Sequence, residues 1–170
     1  MVTCKKVGKI LTEKIITFSD ELREVSEIVE DFDGIEHLIE VMKENIGVGV
    51  SAIQLGVPKQ VMIIQVTDPV VIINPVIEEI SGDILMSYEG CLSLPNIFAL
   101  VERPNQVTVS YVNEKNEPQN SVFADFEAGV FLHEYDHLNG TIFVDRCYNR
   151  GDRRNFERKF GMKVIKKEGY

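Results

Sequence analysis

Residues 131–140 read Phe-Leu-His-Glu-Tyr-Asp-His-Leu-Asn-Gly, and this stretch constrains the chain more than any other. On a helix, positions i and i+4 lie on one face a turn apart, so His133 and His137 can direct two imidazole nitrogens at one metal ion. Glu134, one step round the helix, can accept a proton from water during hydrolysis. The spacing therefore predicts a helix that carries a hydrolytic metal centre.

Apolar residues in and before this segment are spaced as in a mostly buried helix. They recur at intervals of three and four residues, at Phe126, Val130, Phe131 and Leu138. We expect Asp125 to act as the N-cap and Gly140 to stop the helix. The alternative is a buried helix whose histidines only form internal hydrogen bonds, but the paired arrangement favours the metal site.

Length and composition are typical of one globular domain. The chain has 170 residues, 44% hydrophobic and 26% charged, which predicts a single domain over residues 1–170. The formal net charge of −9 argues against a nucleic-acid-binding surface. No apolar run reaches the roughly 18–20 residues of a membrane helix, and no apolar stretch typical of a secretory signal follows the first lysines.

The three cysteines are widely spaced, at Cys4, Cys91 and Cys147. An odd number at such spacing is typical of reduced thiols in a cytosol-like compartment rather than of a disulfide framework. We therefore expect a cytoplasmic protein, with an organelle as the alternative.

Periodicity predicts helices towards both ends of the chain. Apolar spacing predicts a helix that begins at Ser19-Asp20, a break over 31–34, and a second helix from residue 35 to near 45. Residues 151–168 also look helical, with a basic face, although Gly161 weakens that prediction.

Runs rich in β-branched residues predict strands between these helices. They cover residues 61–66, 70–80, 107–113 and 120–126, with a further short strand over 141–144. Pro75 places a bend or an edge in the second run. Because the links have turn length, we expect an α+β fold. In it, antiparallel β-sheets pack around the central His-Glu-x-x-His helix, with an N-terminal helical segment and a C-terminal helix.

A catalytic metal site needs a third protein ligand and an open position. A third histidine at the spacing used by some metallopeptidases would fall at Phe143, which cannot ligate. Glu157 could complete a His₂Glu set. Cys91 could instead ligate, because Gly90 before it and Pro95 after it predict a shaped loop, although a cysteine alone is more often a small buried hydrophobe. The residues by themselves leave Glu157 and Cys91 open.

A glycine-rich stretch, Gly47-Val48-Gly49, allows a backbone or a ligand to approach closely. A dinucleotide-binding loop is a weak interpretation, because Ala52 stands where the third glycine belongs. Gln54 is polar within an apolar run, so it is either a solvent-facing turn residue or a side chain directed into a site.

Three segments, taken together and in order, resemble the motifs of the peptide deformylase family, and the resemblance covers nearly the whole chain. Residues 47–54 are similar to Gly-Φ-Gly-Φ-Ala-Ala-x-Gln, where Φ is hydrophobic. Residues 89–93 carry Glu-Gly-Cys-Leu-Ser without change. Residues 133–140 match the third motif, which contains His-Glu-x-x-His.

The resemblance implies a hydrolase that removes the N-formyl group from the N-terminal methionine of new polypeptides and releases formate. It assigns three ligands to the metal: Cys91, His133 and His137. It makes Glu134 the general base and then the acid, while Gln54 and the backbone N–H of Leu92 stabilise the oxyanion. It also implies one divalent metal ion per chain, with Fe²⁺ favoured in the cell and Zn²⁺ or Ni²⁺ in a purified sample.

The resemblance further implies how substrate and partners bind. Five residues would line the substrate site: Val48, Gly49, Gly90, Phe126 and Val130. For the three larger ones, the alternative is a plain core position. The partners would be N-formylmethionyl nascent peptides, with a transient contact to the ribosome, no DNA and no membrane, and we expect a monomer.

The chain departs from the family pattern at several positions. Ser51 replaces an alanine of the first motif and adds one hydroxyl that must find a partner. Leu132 replaces a common glutamine, Asp125-Phe126 replaces Gly-Leu, and Phe98 replaces a frequent basic residue. These departures bear on substrate preference and rate rather than on the metal site.

Two alternatives remain beside the deformylase interpretation. One is a His₂Glu metallopeptidase, and the other is a non-catalytic binding module on a deformylase-like scaffold. The presence of all six site residues argues against the module. We also expect Arg103 to form an ion pair with Glu89 that supports the Cys91 loop.

Overall fold

The computed structural model describes residues 12–167 and 169–170, so Cys4 lies outside the described residues. The described strands form one antiparallel sheet in the order β1-β2-β3-β4-β5. Their bounds are β1 Gly49–Ser51, β2 Val61–Gln65, β3 Pro69–Cys91, β4 Leu94–Val112 and β5 Pro118–Ala124. The helices are α1 Ile35–Glu44, α2 Asp125–Leu138 and α3 Arg150–Phe160. This arrangement confirms the α+β class and the antiparallel pairing.

β3 and β4 are much longer than the sequence pattern predicts. They form one hairpin that carries the chain from residue 69 to residue 112 with a two-residue turn after Cys91. Most of β3 beyond Pro75 is exposed, so its residues lack clean alternation, and backbone pairing with β4 rather than burial holds them in the strand. The predicted bend at Pro75 coincides with a shift of register between the pairs of Ile73 and Val76.

α2 packs against the inner face of this sheet, as the sequence predicts. Phe131 on the helix stacks on Phe123 of β5 with ring centroids 5.2 Å apart. The same core cluster contains apolar residues from β2, β3, β4 and α2. Each such buried side chain contributes about 1.5–3 kcal/mol relative to an exposed one, so burial fixes the helix on the sheet.

The first predicted helix is wrong beyond a single 3₁₀ turn over Asp20–Arg23, which Ser19 caps through its hydroxyl. The next residues are extended because their backbone groups bond to distant segments rather than to each other. The Ser26 N–H donates to the carbonyl of Leu138 at 2.8 Å. The second predicted helix is confirmed as α1.

The C-terminal third also differs from prediction. The expected strand over 141–144 is instead a 3₁₀ turn over Phe143–Arg146, stabilised by the Asp145 carboxylate, which accepts the Ile142 N–H at 2.9 Å. α3 ends at Phe160 because Gly161 adopts a left-handed φ of 73°, so the helix does not reach residue 168.

The ends of α2 are set by its flanking residues. Asp125 is the first helical residue and Ala124 takes the N-cap position, so the predicted Asp125 cap is wrong. Gly140 does stop the helix: it has φ 65°, and an added Cβ would collide with the Arg23 carbonyl. Among the described residues, the helices are too short or too polar to cross a lipid bilayer.

Candidate metal centre

Donor atoms of Cys91, His133 and His137 converge at the end of the β3–β4 hairpin, within 4.8 Å of one another. The Cys91 Sγ lies 3.2 Å from the His137 Nε2. Sulfur and nitrogen ligands of one tetrahedral Zn²⁺ ion are roughly 3.5 Å apart, from bonds of about 2.3 and 2.05 Å. The spacing of the three donors is therefore on the scale of a single bound ion.

Local structure explains how these donors meet. The helical spacing of α2 places His133 and His137 on one face, with ring centroids 5.2 Å apart. The hairpin delivers Cys91 at the end of β3, where the pairing register shifts after Gly90. Phe143, at the spacing of a third histidine in other metalloenzymes, packs instead on the His133 ring at 5.9 Å.

A second layer of charged groups orients the His133 ring. Its Nδ1 lies 2.9 Å from the Glu89 Oε2, which leaves Nε2 directed at the other ligands. Arg103 forms the expected ion pair with Glu89, with Nη2 donating to Oε2 at 2.8 Å. Burial raises the pKa of the Glu89 carboxyl, but the Arg103 guanidinium outweighs it, and the pKa falls to about 2. A carboxylate partner of this kind is typical of metal-ligating histidines.

The charged layer extends to the end of the described chain. Arg103 also donates to Asp136 at 2.8 Å, and Asp136 accepts two bonds of 2.6 Å from Arg146. The Arg146 guanidinium lies 3.9 Å from the centroid of the Tyr170 ring, and the Tyr170 hydroxyl bonds to Arg103. Sequence reasoning missed Arg146 and Tyr170, because no local pattern links them to the motifs.

The pKa values of the two histidines are shifted in opposite directions. Burial lowers the pKa of His137 well below its usual range, so its ring is neutral, as a metal ligand must be. Its buried Nδ1 has no hydrogen-bond partner among the described residues. For His133, burial lowers the pKa, but hydrogen bonds with Cys91 and Glu89 outweigh it and raise the pKa well above its usual value.

Glu134 lies beside the donors and is only 3% exposed. Burial raises the pKa of its carboxyl above the ordinary value. Its Oε2 lies 2.6 Å from the Ser51 Oγ. Its Oε1 lies against Gly49, where an added Cβ would approach it to 2.6 Å.

Gln54 is buried and directed into the site, which answers the question its sequence position left open. It lies in a 3₁₀ turn over Ala52–Leu55. Its Oε1 accepts the Ser51 N–H at 2.9 Å, and its Nε2 lies 3.1 Å from the Ser93 Oγ and 3.6 Å from the Cys91 Sγ. The Gln54 amide N–H₂ group is thus held facing the metal donors.

A cleft of about 730 Å³ opens onto these groups. The five residues predicted to bind substrate all line it: Val48, Gly49, Gly90, Phe126 and Val130. Leu92 lies in its wall, in the turn after Cys91. Phe126 is 63% exposed and Val48 is 45% exposed, so neither is a plain core residue, whereas Val130 is buried. Phe98, another departure, is exposed at the cleft, and Leu132 is buried in the core away from it.

Glu157 does not join the metal donors. Its carboxylate accepts the N–H of Val164 at 3.0 Å, within the C-terminal segment.

An α+β fold with two helical histidines, a strand-end cysteine and a buried glutamate around one cleft defines a metal-dependent hydrolase.

Comparison with known proteins places the chain within that class. A family model described as polypeptide deformylase matches residues 12–153. A peptide deformylase of Thermotoga petrophila is 40% identical over 140 residues, 78% of this chain and 85% of that protein. One of Microchaete diplosiphon is 36% identical over 143 residues, 81% of this chain and 72% of that protein.

Solved structures agree. The crystal structure of a peptide deformylase from Synechococcus elongatus in complex with actinonin superimposes with a TM-score of 0.83 at 35% identity. That match covers 100% of this chain and 97% of the other. This chain belongs to the peptide deformylase family.

Proposed function

We propose that this protein removes the formyl group from the N-formylmethionyl end of nascent polypeptides and releases formate. The observation that carries the proposal is the convergence of Cys91, His133 and His137 beside a buried glutamate, Glu134, at a cleft that can admit a peptide end. Family membership supports the same activity.

We propose that Cys91, His133 and His137 hold one divalent ion. A thiolate with two imidazoles suits both Fe²⁺ and Zn²⁺, and we favour Fe²⁺ in the cell and Zn²⁺ or Ni²⁺ in a purified sample. When bound, such an ion supplies Lewis-acid chemistry that activates water and polarises a carbonyl.

The surrounding residues have separate roles in the reaction. Glu134 accepts one proton from the attacking water and passes it to the amine nitrogen as the C–N bond breaks. The products are formate and a peptide with a free N-terminal methionine. The Gln54 Nε2 and the Leu92 backbone N–H donate hydrogen bonds to the oxygen that becomes negatively charged. Burial of Glu134 favours its role because it raises the affinity of the carboxylate for that proton.

The cleft supports recognition of a methionine side chain. Val48, Phe126 and Val130 give it apolar walls, while Gly49 and Gly90 lack the side chains that would keep a substrate backbone away. At Gly90 the space is limited by Phe98, whose ring carbon would lie 2.8 Å from an added Cβ.

The same reasoning extends to the domain organisation, the oligomeric state and the location of the enzyme. We propose a single catalytic domain over residues 1–170, a monomer, and a cytoplasmic location, which reduced cysteines suit. The basic residues of α3 would suit a transient contact with the ribosome, although the net charge of the whole chain is −9.

Formate release from formyl-Met-Ala-Ser by anaerobically prepared, iron-loaded protein tests the activity. The matched control substrate is acetyl-Met-Ala-Ser, which we expect to be inert. Formate release no greater than that of Glu134→Gln would overturn the proposal and favour a binding module.

Metal content separates the ligand sets. Cys91→Ala should lose the bound metal, whereas Glu157→Gln should retain one ion per chain by elemental analysis. The reverse result would favour a His₂Glu metallopeptidase.

A further inference from the structure

Ser51 is the residue of the first motif at which this chain departs from the family pattern, and the structure gives its hydroxyl a specific partner. Ser51 ends β1 and is fully buried. Its Oγ lies 2.6 Å from the Glu134 Oε2 and 3.2 Å from the Glu134 backbone oxygen. An alanine here would keep the backbone bond to Gln54 but would lose this contact.

The geometry identifies the direction of the hydrogen bond. A hydroxyl carries one proton, and an ionised carboxylate can only accept. The carboxylate oxygen is both the closer and the more strongly accepting of the two neighbours. The Ser51 hydroxyl therefore donates to Oε2 when Glu134 is ionised.

The other carboxylate oxygen is held by van der Waals contact. Oε1 lies against the bare Cα of Gly49, a residue of the cleft wall. With Oε2 tied to Ser51 and Oε1 packed against Gly49, the plane of the Glu134 carboxylate is fixed from two sides. Both contacts come from β1, so one short strand sets the orientation of the group.

We propose that Ser51 is a positioning residue, which holds the Glu134 carboxylate in the orientation for proton transfer and so raises the rate of the chemical step in this enzyme. The proposal rests on the proposed deformylase function. The orientation of the Glu134 carboxylate would then depend on the Ser51 hydroxyl, and the backbone N–H bond of residue 51 to Gln54 would not replace it. Because Ser51 does not line the cleft and the carboxylate that it holds acts in the chemical step, its loss should change kcat and leave KM unchanged.

The test uses iron-loaded protein with formyl-Met-Ala-Ser and compares Ser51→Ala and Ser51→Cys with the wild type. The thiol fills the space of the hydroxyl but is a weak donor. We expect kcat to fall about 3- to 10-fold in both variants, the range that one hydrogen bond supplies, with KM within about twofold. Ser26→Ala is the matched control, because Ser26 is also buried and its Oγ has no partner among the described residues.

A crystal structure of the Ser51→Ala holoenzyme adds a readout that does not depend on activity. We expect the Glu134 carboxylate to rotate or to occupy two conformers, with the metal ligands unchanged. An unchanged kcat, a full recovery of kcat by Ser51→Cys, or an unmoved Glu134 would each overturn the role of Ser51. Absence of formate release by the wild type would instead overturn the proposed function, so the two failures are distinguishable.

Discussion

The Glu89 Oε2 accepts a hydrogen bond from the His133 Nδ1 at 2.9 Å, and the same oxygen accepts one from Arg103 at 2.8 Å. One carboxylate oxygen thus joins a metal-donor histidine to a buried arginine. Because Glu89 lies two residues before Cys91 on β3, this bond also ties the strand that carries the sulfur to the helix that carries the imidazoles. The hydrogen bond fixes the ring so that its other nitrogen faces the cleft.

Replacing Glu89 by Gln should weaken metal binding about 10- to 100-fold, the usual effect of removing a carboxylate behind a metal-ligating histidine. The amide keeps the shape but loses the charge that favours a histidine Nδ1–H donor. Competition with a metal chelator measures the affinity. Glu79→Gln, an exposed position on the same strand, is the control. Equal metal affinity in Glu89→Gln and the wild type would contradict the role given to Glu89.

Gly49→Ala should lower kcat by roughly 100-fold, the effect expected when a catalytic group is displaced by about 1 Å. The added methyl would lie 2.6 Å from the Glu134 Oε1 and 2.9 Å from its Cγ, so the carboxylate must move. Steady-state kinetics of the iron-loaded variant measures the loss, with metal content expected to stay at that of the wild type.

Gly129→Ala is the comparison for this substitution: Gly129 also lines the cleft, but an added Cβ there meets nothing within 4 Å, so Glu134 is not displaced. It should also stabilise α2 by about 1 kcal/mol, since alanine favours a helix interior over glycine. A wild-type kcat in Gly49→Ala would show that Glu134 does not depend on the space at residue 49.

The Tyr170 phenol should lose its proton at a higher pH than the phenol of an exposed tyrosine. Burial raises the pKa of its phenol to about 12 from an ordinary value of 10.0. The folded state therefore prefers the protonated phenol, and its stabilising contribution is complete below pH 10 and is lost as the pH rises from about 10 towards 12. Ultraviolet titration should show a late component that is lost in Tyr170→Phe. A late component that persists in the variant would assign the shift to another tyrosine.

Phe126→Ala should raise KM for formyl-Met-Ala-Ser several-fold while changing stability by less than about 1 kcal/mol. The ring is 63% exposed but lines the cleft, so its contacts form mainly when substrate is bound. Kinetics and urea unfolding of the same preparation separate the two effects. Tyr148→Ala removes an aromatic ring of similar exposure outside the cleft and should leave KM unchanged. A parallel loss of stability in Phe126→Ala would make it a core residue after all.

The sequence by itself determined the parts that depend on short-range geometry. The i and i+4 spacing of His133 and His137 dictated a helix with two imidazoles on one face, and the β-branched runs dictated antiparallel strands. It overstated the helix after Ser19, because the amides of that segment bond to α2 and to the loop before β2 rather than within a turn. It also predicted β3 and β4 to be too short, because most residues of β3 beyond Pro75 are exposed and carry no burial pattern.

Only the tertiary structure decided which distant groups meet. The Cys91 sulfur and His137 are 46 residues apart in sequence, and Ser51 and Glu134 are 83 apart, yet each pair is in contact. Arg103 and Tyr170, 67 residues apart, are hydrogen-bonded in the same charged layer. No local rule links such positions, because their proximity depends on how the long hairpin and α2 pack around a shared core. The spacing of residues along α2 therefore determined the relative positions of the two imidazoles. Tertiary packing determined the positions of the Cys91 sulfur, the Ser51 hydroxyl and the charged groups that surround them.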